Sequence, residues 1–279
     1  MKNILITGGN GFIARNLSKI LSKKYKVQTV SRNELDLTSY DDVKTFFLNK
    51  RYDLIIHTAV EGGRRTKPDT LQMFYNNTLM VYNLLSNKKS FDKIITFGSG
   101  AELDRRFDIN ENSNDRYPID YYGMSKSIIK NLCLVEKDMY NFRIFNCFGI
   151  DESPDRLIRG NIDKKINGLP MTLFSNRLMD FFYIDDLAKM IDEFLKDYTR
   201  FPKTIDCVYE EKYRLMDILK FINSLKENNV EIILSNQTSP NNINTTDTDY
   251  VGKYFDLQID FIGLFKSIEI IYNKLKGNV

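Results

Sequence analysis

Apolar positions along the first half of the chain alternate between two spacings. Short β-type runs occur at NILIT (3–7), KVQTV (26–30), DLIIHTA (53–59), KIITFGS (93–99) and FRIFNCF (142–148). Between them lie longer stretches with helical spacing, at 11–23, 39–50, 67–87 and 118–138. Strands that alternate with helices of this length predict right-handed βαβ crossovers and a parallel sheet covered on both faces. The near-continuous apolar character of the runs fits strands buried on both sides. The expected fold class is α/β, a doubly wound parallel sheet.

Beyond about residue 150 the pattern changes. A helix near 155–167 leads through Gly168-Leu169-Pro170 to short strands near 171–174 and 181–184, and a further helix is expected over 185–197. The polar run from Ser235 to Asp249 holds one aliphatic residue, Ile243, and reads as a surface loop. The expected organisation is a larger domain over 1–150, to which a segment near 180–200 returns, and a smaller C-terminal lobe over 151–279.

Composition narrows the function. Hydrophobic residues at 42% and charged residues at 28% are those of an ordinary globular protein. The net charge of +3 is spread along the chain, which argues against nucleic acid and membrane surfaces as partners. The apolar run at the N-terminus is broken by glycine after four residues, and no stretch is long enough to cross a bilayer, so a cytoplasmic location is expected. Cys133, Cys147 and Cys207 follow no metal spacing and read as reduced core thiols; no metal is expected. The single histidine, His57, excludes any mechanism that needs two, and it reads as a core residue.

Chemistry enters at the turn after the first strand. Thr7-Gly8-Gly9-Asn10-Gly11-Phe12-Ile13-Ala14 runs from a predicted strand into an amphipathic helix. Glycines there let the chain turn sharply and approach a pyrophosphate, and the helix start points free N–H groups at the anion. Ala14 takes the third glycine position, which the fingerprint tolerates. Thr7, Gly8, Asn10, Gly11, Phe12 and Ile13 are therefore candidate dinucleotide ligands. At the end of the second strand an NAD site carries an acid for the ribose 2′-OH, and an NADP site carries an arginine. Here Val30-Ser31-Arg32-Asn33 brings no acid before Glu34. Ser31 and Arg32 are expected to hold a 2′-phosphate, which favours NADP(H), with NAD(H) as the alternative.

Tyr122 and Lys126 stand four residues apart in YYGMSK, within a helical pattern that puts both on one face. The ammonium favours the phenolate and equips Tyr122 to exchange a proton with a substrate oxygen. Ser99 ends the fourth predicted strand, at the carboxyl edge where open α/β sheets bind ligands.

The glycine turn and the Ser99-Tyr122-Lys126 set together resemble the extended short-chain dehydrogenases/reductases, the NAD-dependent epimerase/dehydratase family. The likeness is strong over 1–150 and looser beyond. Within that family the chain is most similar to the GDP-fucose synthase-like 4-keto reductases, through Arg32 with Glu34-Leu35-Asp36-Leu37 and through FYNNTLMVYNLL (74–85). The resemblance implies a Rossmann-type domain with a substrate-binding lobe, and it implies that Ser99, Tyr122 and Lys126 are the catalytic triad. It also implies that Lys126 reaches the nicotinamide ribose, and that Asp36, Leu37, Thr58, Ala59, Val60 and Asn77 contact the cofactor. His57 matches a strand-end histidine packed beneath it.

The same resemblance bears on the reaction. The family's 4,6-dehydratases follow their catalytic threonine with Asp-Glu, where this chain has Gly100-Ala101, and Glu102 falls one residue too late. Epimerising reductases carry a cysteine two residues after the serine and a histidine in the second half; here Ala101 takes the first position and the second is missing. Cys147 is a candidate substitute that reads better as core. The expectation is an NADPH-dependent 4-keto reductase of a nucleotide-linked, 6-deoxy sugar without epimerase activity. Its rivals are a nucleotide-sugar 4-epimerase with tightly held NAD and a catalytically silent dinucleotide sensor.

In the lobe the resemblance assigns Asn146 to the nucleotide-sugar phosphates, with Gly100 beside the sugar. Arg156, Arg159 and Arg177 are candidate diphosphate ligands, and Met179 stands where the family's diphosphate-binding arginine would be. Gly62-Gly63-Arg64-Arg65 follows the third strand as a further candidate sugar contact. Helices 67–87 and 118–138 carry apolar residues on more than one face, including Met73, Leu79, Ile128, Leu132 and Val135, and the resemblance implies a homodimer through them.

Overall fold

The computed structural model describes residues 1–63, 67–104, 116–226, 228–236, 243–244 and 257–277. Its central sheet is built from β1 (Asn3–Thr7), β2 (Lys26–Val30), β3 (Tyr52–His57), β4 (Phe91–Ser99), β5 (Met139–Ile144) and a sixth strand, Thr204–Cys207. The order across the sheet is 204–207, β5, β4, β3, β1, β2, and all pairings among β1 to β5 are parallel. Consecutive residues Ile4, Leu5 and Ile6, and likewise Leu54, Ile55 and Ile56, are fully buried, as a sheet covered on both faces requires. The expected Rossmann-type α/β fold is what the chain adopts. β1 lies between β2 and β3, so the chain leaves it in opposite directions and a crevice opens at its carboxyl end.

Four helices cover this sheet: α1 (Phe12–Leu21), α2 (Tyr40–Phe47), α3 (Leu71–Leu85) and α4 (Tyr121–Val135). Three start on a side chain that satisfies a free N–H of the first turn: Ser39, Thr70 and Asp120, which accept from Asp42, Met73 and Gly123. These caps set the starts of α3 and α4 inside the spans 67–87 and 118–138 expected from spacing.

The described residues form two compact units. One is built from residues up to 144 together with 190–206, the other from 145–189 and residues from 207 onward. In the first, Phe194 packs edge-on against Tyr140, Phe142 and Phe201 at centroid distances of 4.8, 5.7 and 5.3 Å. In the second, the buried Asp186 carboxylate accepts from Tyr209 Oη at 2.7 Å and from the N–H groups of Ile262 and Gly263 at 2.8 and 3.1 Å.

Several expectations for the chain beyond 140 change. The run 142–148 is not one strand: β5 starts earlier, at Met139, and ends at Ile144, and Cys147–Phe148 pair instead with Phe182–Tyr183. Asn146 directs this break, since its carbonyl accepts from Phe182 N and its side chain donates to the Asp180 carbonyl. The polar run was expected to be loop, yet Ile243–Asn244 within it pair in parallel with Leu178–Met179. Its residues 237–242 and 245–249 lie outside the described residues. Thr204–Cys207, Ile232–Leu234 and the helices Leu215–Ser224 and Leu264–Lys276 were not anticipated.

His57 closes β3 in the buried layer, its Nδ1 2.9 Å from Thr7 Oγ1. Burial first, and the charge of Lys126 second, push its pKa down to about 3. The folded value lies below the unfolded one, so the unfolded chain gains a proton first as pH falls below about 6.5, and stability is lost from there down to about 3. Between pH 7 and pH 5 this histidine should cost the fold about 2 kcal/mol. Urea denaturation at both pH values, on the native protein and on His57→Gln, checks this. An equal loss in both proteins would mean that His57 accepts its proton inside the fold.

Candidate active site

The crevice at the carboxyl end of β1 is shaped by how closely the turn passes its neighbour. Gly8 has φ +71°, and a Cβ there would sit 2.8 Å from the Ala59 backbone and 2.9 Å from Thr58 Oγ1. Thr58 Oγ1 donates to the Thr7 carbonyl at 2.6 Å, which locks the ends of β1 and β3 together. Helix α1 begins at Phe12 after Gly11, and no side chain caps it. Asn10 and Gly11 are exposed and Phe12 and Ile13 half-buried. An uncapped helix start facing a glycine turn with room for backbone approach fits the pyrophosphate of a dinucleotide.

The residues expected at the adenosine end are occupied. Ser31 donates from N and Oγ to Glu34 Oε2 at 2.8 and 2.7 Å, and these bonds hold the exposed Glu34 carboxyl below its usual pKa. Arg32 Nη1 donates to Glu61 Oε1 at 2.9 Å. Because β2 and β3 flank β1, this pair joins the two loops on either side of the crevice. Asp36 Oδ1 accepts from Thr38 N and Oγ1, and Leu37 is buried with its carbonyl accepting from Asn83 Nδ2. Val60 is exposed.

Sequence reasoning did not single out Glu61, which gathers much of this region. Its Oε2 accepts from Asn76 Nδ2 at 2.8 Å. Its backbone N–H and carbonyl are both held by the Asn77 side chain, at 2.8 and 2.9 Å. Asn77 is 2% exposed and donates at 3.2 Å to Ser125 Oγ, beside Lys126, so its described bonds tie the loop after β3 to α4.

Tyr122 and Lys126 lie on the first two turns of α4, which packs against the end of β4 where Ser99 sits. Gly123 lets the first turn of α4 press on the segment after β4, since a Cβ there would fall 2.5 Å from the Ala101 carbonyl. Lys126 Nζ lies 5.7 Å from the Tyr122 ring centroid and donates to the Phe97 carbonyl at 2.6 Å. Burial lowers the Lys126 pKa to about 8, against an opposing pull from Glu102. Ser99 Oγ accepts from Ala101 N at 3.1 Å, which leaves the hydroxyl hydrogen available to another acceptor. Gly100 and Ala101 are buried. Gly63 lies against the Tyr122 ring, so that a Cβ on it would come within 2.7 Å of Cζ. Arg64 and Arg65, which follow, lie outside the described residues.

In the second unit Asn146 is bonded to Asp180 as described above. Arg156 Nε donates to Glu152 Oε1 at 3.2 Å, and Arg159 Nε donates to the Ile150 carbonyl at 3.0 Å and pairs with Asp163. Arg177 is half-buried and Met179 buried. Asp180 pairs with Lys212 at 2.8 Å. Burial raises the Cys147 thiol well above the ordinary thiol pKa, which keeps it protonated. Among the described residues no group of acids, histidines and cysteines could hold a metal ion, and no helix is long and apolar enough to cross a membrane.

Known proteins resemble this chain in sequence and in fold. GDP-L-colitose synthase of Yersinia pseudotuberculosis is 23% identical over 252 residues, 78% of this chain and 80% of that protein. GDP-mannoheptose C4 reductase from Campylobacter jejuni, solved with NADP bound, shares the fold with a TM-score of 0.79 at 16% identity, over 99% of this chain and 98% of that one. UDP-glucose 4-epimerase from Thermus thermophilus, solved with NAD, gives 0.78 at 17% identity over 99% and 100%. The model of the NAD dependent epimerase/dehydratase family matches residues 4–207, from the first strand through the last strand of the central sheet, and the chain belongs to that family.

Proposed function

We propose that the protein is an NADPH-dependent reductase of a nucleotide-linked 4-keto sugar, of the 6-deoxy class, and that it does not epimerise. The observation that carries this reading is the arrangement of Ser99, Tyr122 and Lys126 at the carboxyl edge of the sheet without, among the described residues, a free ring-deprotonating group beside it. Ala101 has no acidic proton to trade, Glu102 is bound up in a buried ion pair, and the Cys147 thiol stays protonated. The nicotinamide dinucleotide supplies the hydride when bound. Tyr122 donates the proton to the carbonyl oxygen, Ser99 orients that oxygen with its free hydroxyl hydrogen, and the Lys126 ammonium favours the phenolate left behind. The first unit would hold the dinucleotide. Asn146, Arg156 and Arg177 would engage the diphosphate of the sugar nucleotide, a charge-assisted contact suited to arginine. We place the reaction in the cytoplasm, on the way to a surface polysaccharide.

A second reading is favoured by Glu34. Its carboxylate, held at the tip of β2 by Ser31, is an acceptor of the kind that takes a ribose 2′-OH, and Arg32 is engaged by Glu61. NAD in place of NADP would fit a 4-epimerase that returns its hydride to the sugar.

With GDP- and CDP-linked 4-keto sugars and NADPH in deuterium oxide, the product should carry no solvent deuterium on C3 or C5. Tyr122→Phe should lower turnover by about 10²–10⁴-fold while the cofactor still binds. Deuterium at either ring carbon, or full activity of Tyr122→Phe, would overturn the reductase reading. For the cofactor, native protein should bind NADPH more tightly than NADH, and Arg32→Asp should reverse the order; fluorescence titration decides, and tighter NADH binding by the native protein would favour the epimerase. For assembly, α3 exposes Leu71, Tyr75, Leu79 and Tyr82 in one stripe and α4 exposes Ile128, Leu134 and Val135. Faces of this size and character fit a two-fold dimer. Light scattering at micromolar concentration should give twice the chain mass, and Leu79→Glu should halve it.

A further inference from the structure

Beneath the candidate triad lies a buried charge system that the reaction as proposed does not use. Glu102 is fully buried. Its Oε2 accepts from the Ser99 N–H at 3.2 Å, and its Oε1 accepts from Asn141 Nδ2 at 3.1 Å and from Arg143 Nε. Arg143, 2% exposed near the carboxyl end of β5, donates through Nη1 to Asp206 Oδ1 at 2.9 Å. Arg143 and Asp206 already make a neutral pair. Glu102 adds a second carboxylate to that guanidinium, and a fold in need of stability alone gains little from it, because buried ion pairs seldom outperform apolar packing. The added carboxylate lies under the loop that carries Ser99 and within electrostatic reach of Lys126.

Resting on the reductase reading above, we infer that Glu102 is a positioning residue for the Ser99-Tyr122-Lys126 site. Its carboxylate fixes the Ser99 backbone through one hydrogen bond and supplies the negative charge that keeps Lys126 an ammonium. Among the described residues, the groups that face Lys126 include the Phe97 carbonyl at 2.6 Å, the Tyr122 ring, Glu102 and His57. His57 stays neutral near pH 7 and so adds no positive charge against the ammonium. Burial alone would drive Lys126 toward the uncharged amine, and the carboxylate opposes it.

The test follows the Lys126 ¹³Cε resonance against pH in [¹³C]lysine-labelled protein, assigned by its loss in Lys126→Met. In the native protein the midpoint should lie near 8. Glu102→Gln keeps an oxygen for the Ser99 N–H but removes the charge. It should lower the Lys126 midpoint by about one pH unit or more, a tenfold loss of ammonium on the alkaline side. The alkaline limb of kcat should move down with it, and KM for the sugar nucleotide should stay. Glu102→Asp keeps the charge and shortens the reach. It should leave the midpoint in place and lower kcat, with Ser99→Ala adding no further loss in that background. A merely structural Glu102 would lower the melting temperature and leave both midpoint and pH profile unmoved, which would overturn the inference. A native midpoint below 7 would overturn it without any variant. A shifted midpoint in a protein that turns over no 4-keto sugar would sink the reductase reading and leave the role of Glu102 toward Lys126 standing.

Discussion

A guanidinium buried near the end of a strand must be answered by carboxylates, and here the answer organises the edge of the sheet where the proposed chemistry sits. Arg143 leaves β5 with Glu102 on one side and Asp206 on the other, so one side chain ties together the ends of β4, β5 and the strand 204–207. Breaking a buried pair of this kind costs more than the pair is worth when intact. The segment after β4 therefore has little freedom. Ser99 is held from below through its backbone, and α4 presses down on the same segment through Gly123. Rigidity at this point fixes the end of β4 and the start of α4 against each other.

How much of this could be read from the residues follows from where the energy is local. The first four strands and the four helices of the first half declared themselves because each carries its own apolar period, and the Ser39, Thr70 and Asp120 caps make the starts of α2, α3 and α4 self-contained. The glycine turn and the Tyr122–Lys126 spacing were legible for the same reason. Beyond residue 140 the determinants are long-range. Asn146 ends a strand by bonding to Asp180, and Ile243–Asn244 pair with Leu178–Met179 although the sequence around them is polar. Neither partner is visible from within its own segment.

The contacts of Glu102 had a signal in the sequence, and those of Glu61 had none. Ser99-x-x-Glu102 has the spacing of a capping box, and an arginine inside the apolar run MYNFRI predicts a buried partner somewhere. Reading Glu102 only against the acid–base pattern of dehydratases hid its structural meaning. Glu61 carried no such pattern. It matters because Asn77 grips its backbone on both sides, a relation set by packing between α3 and the loop after β3.

The Arg32–Glu61 pair has a consequence for how the crevice responds to its surroundings. A single exposed arginine would lose its hold on an anion steadily as salt rises, because ions screen the attraction. Here the arginine already has an anion, and salt weakens that bond as well. The two losses partly cancel, so a phosphorylated ligand that must take the arginine from Glu61 meets a site whose preference is buffered against ionic strength.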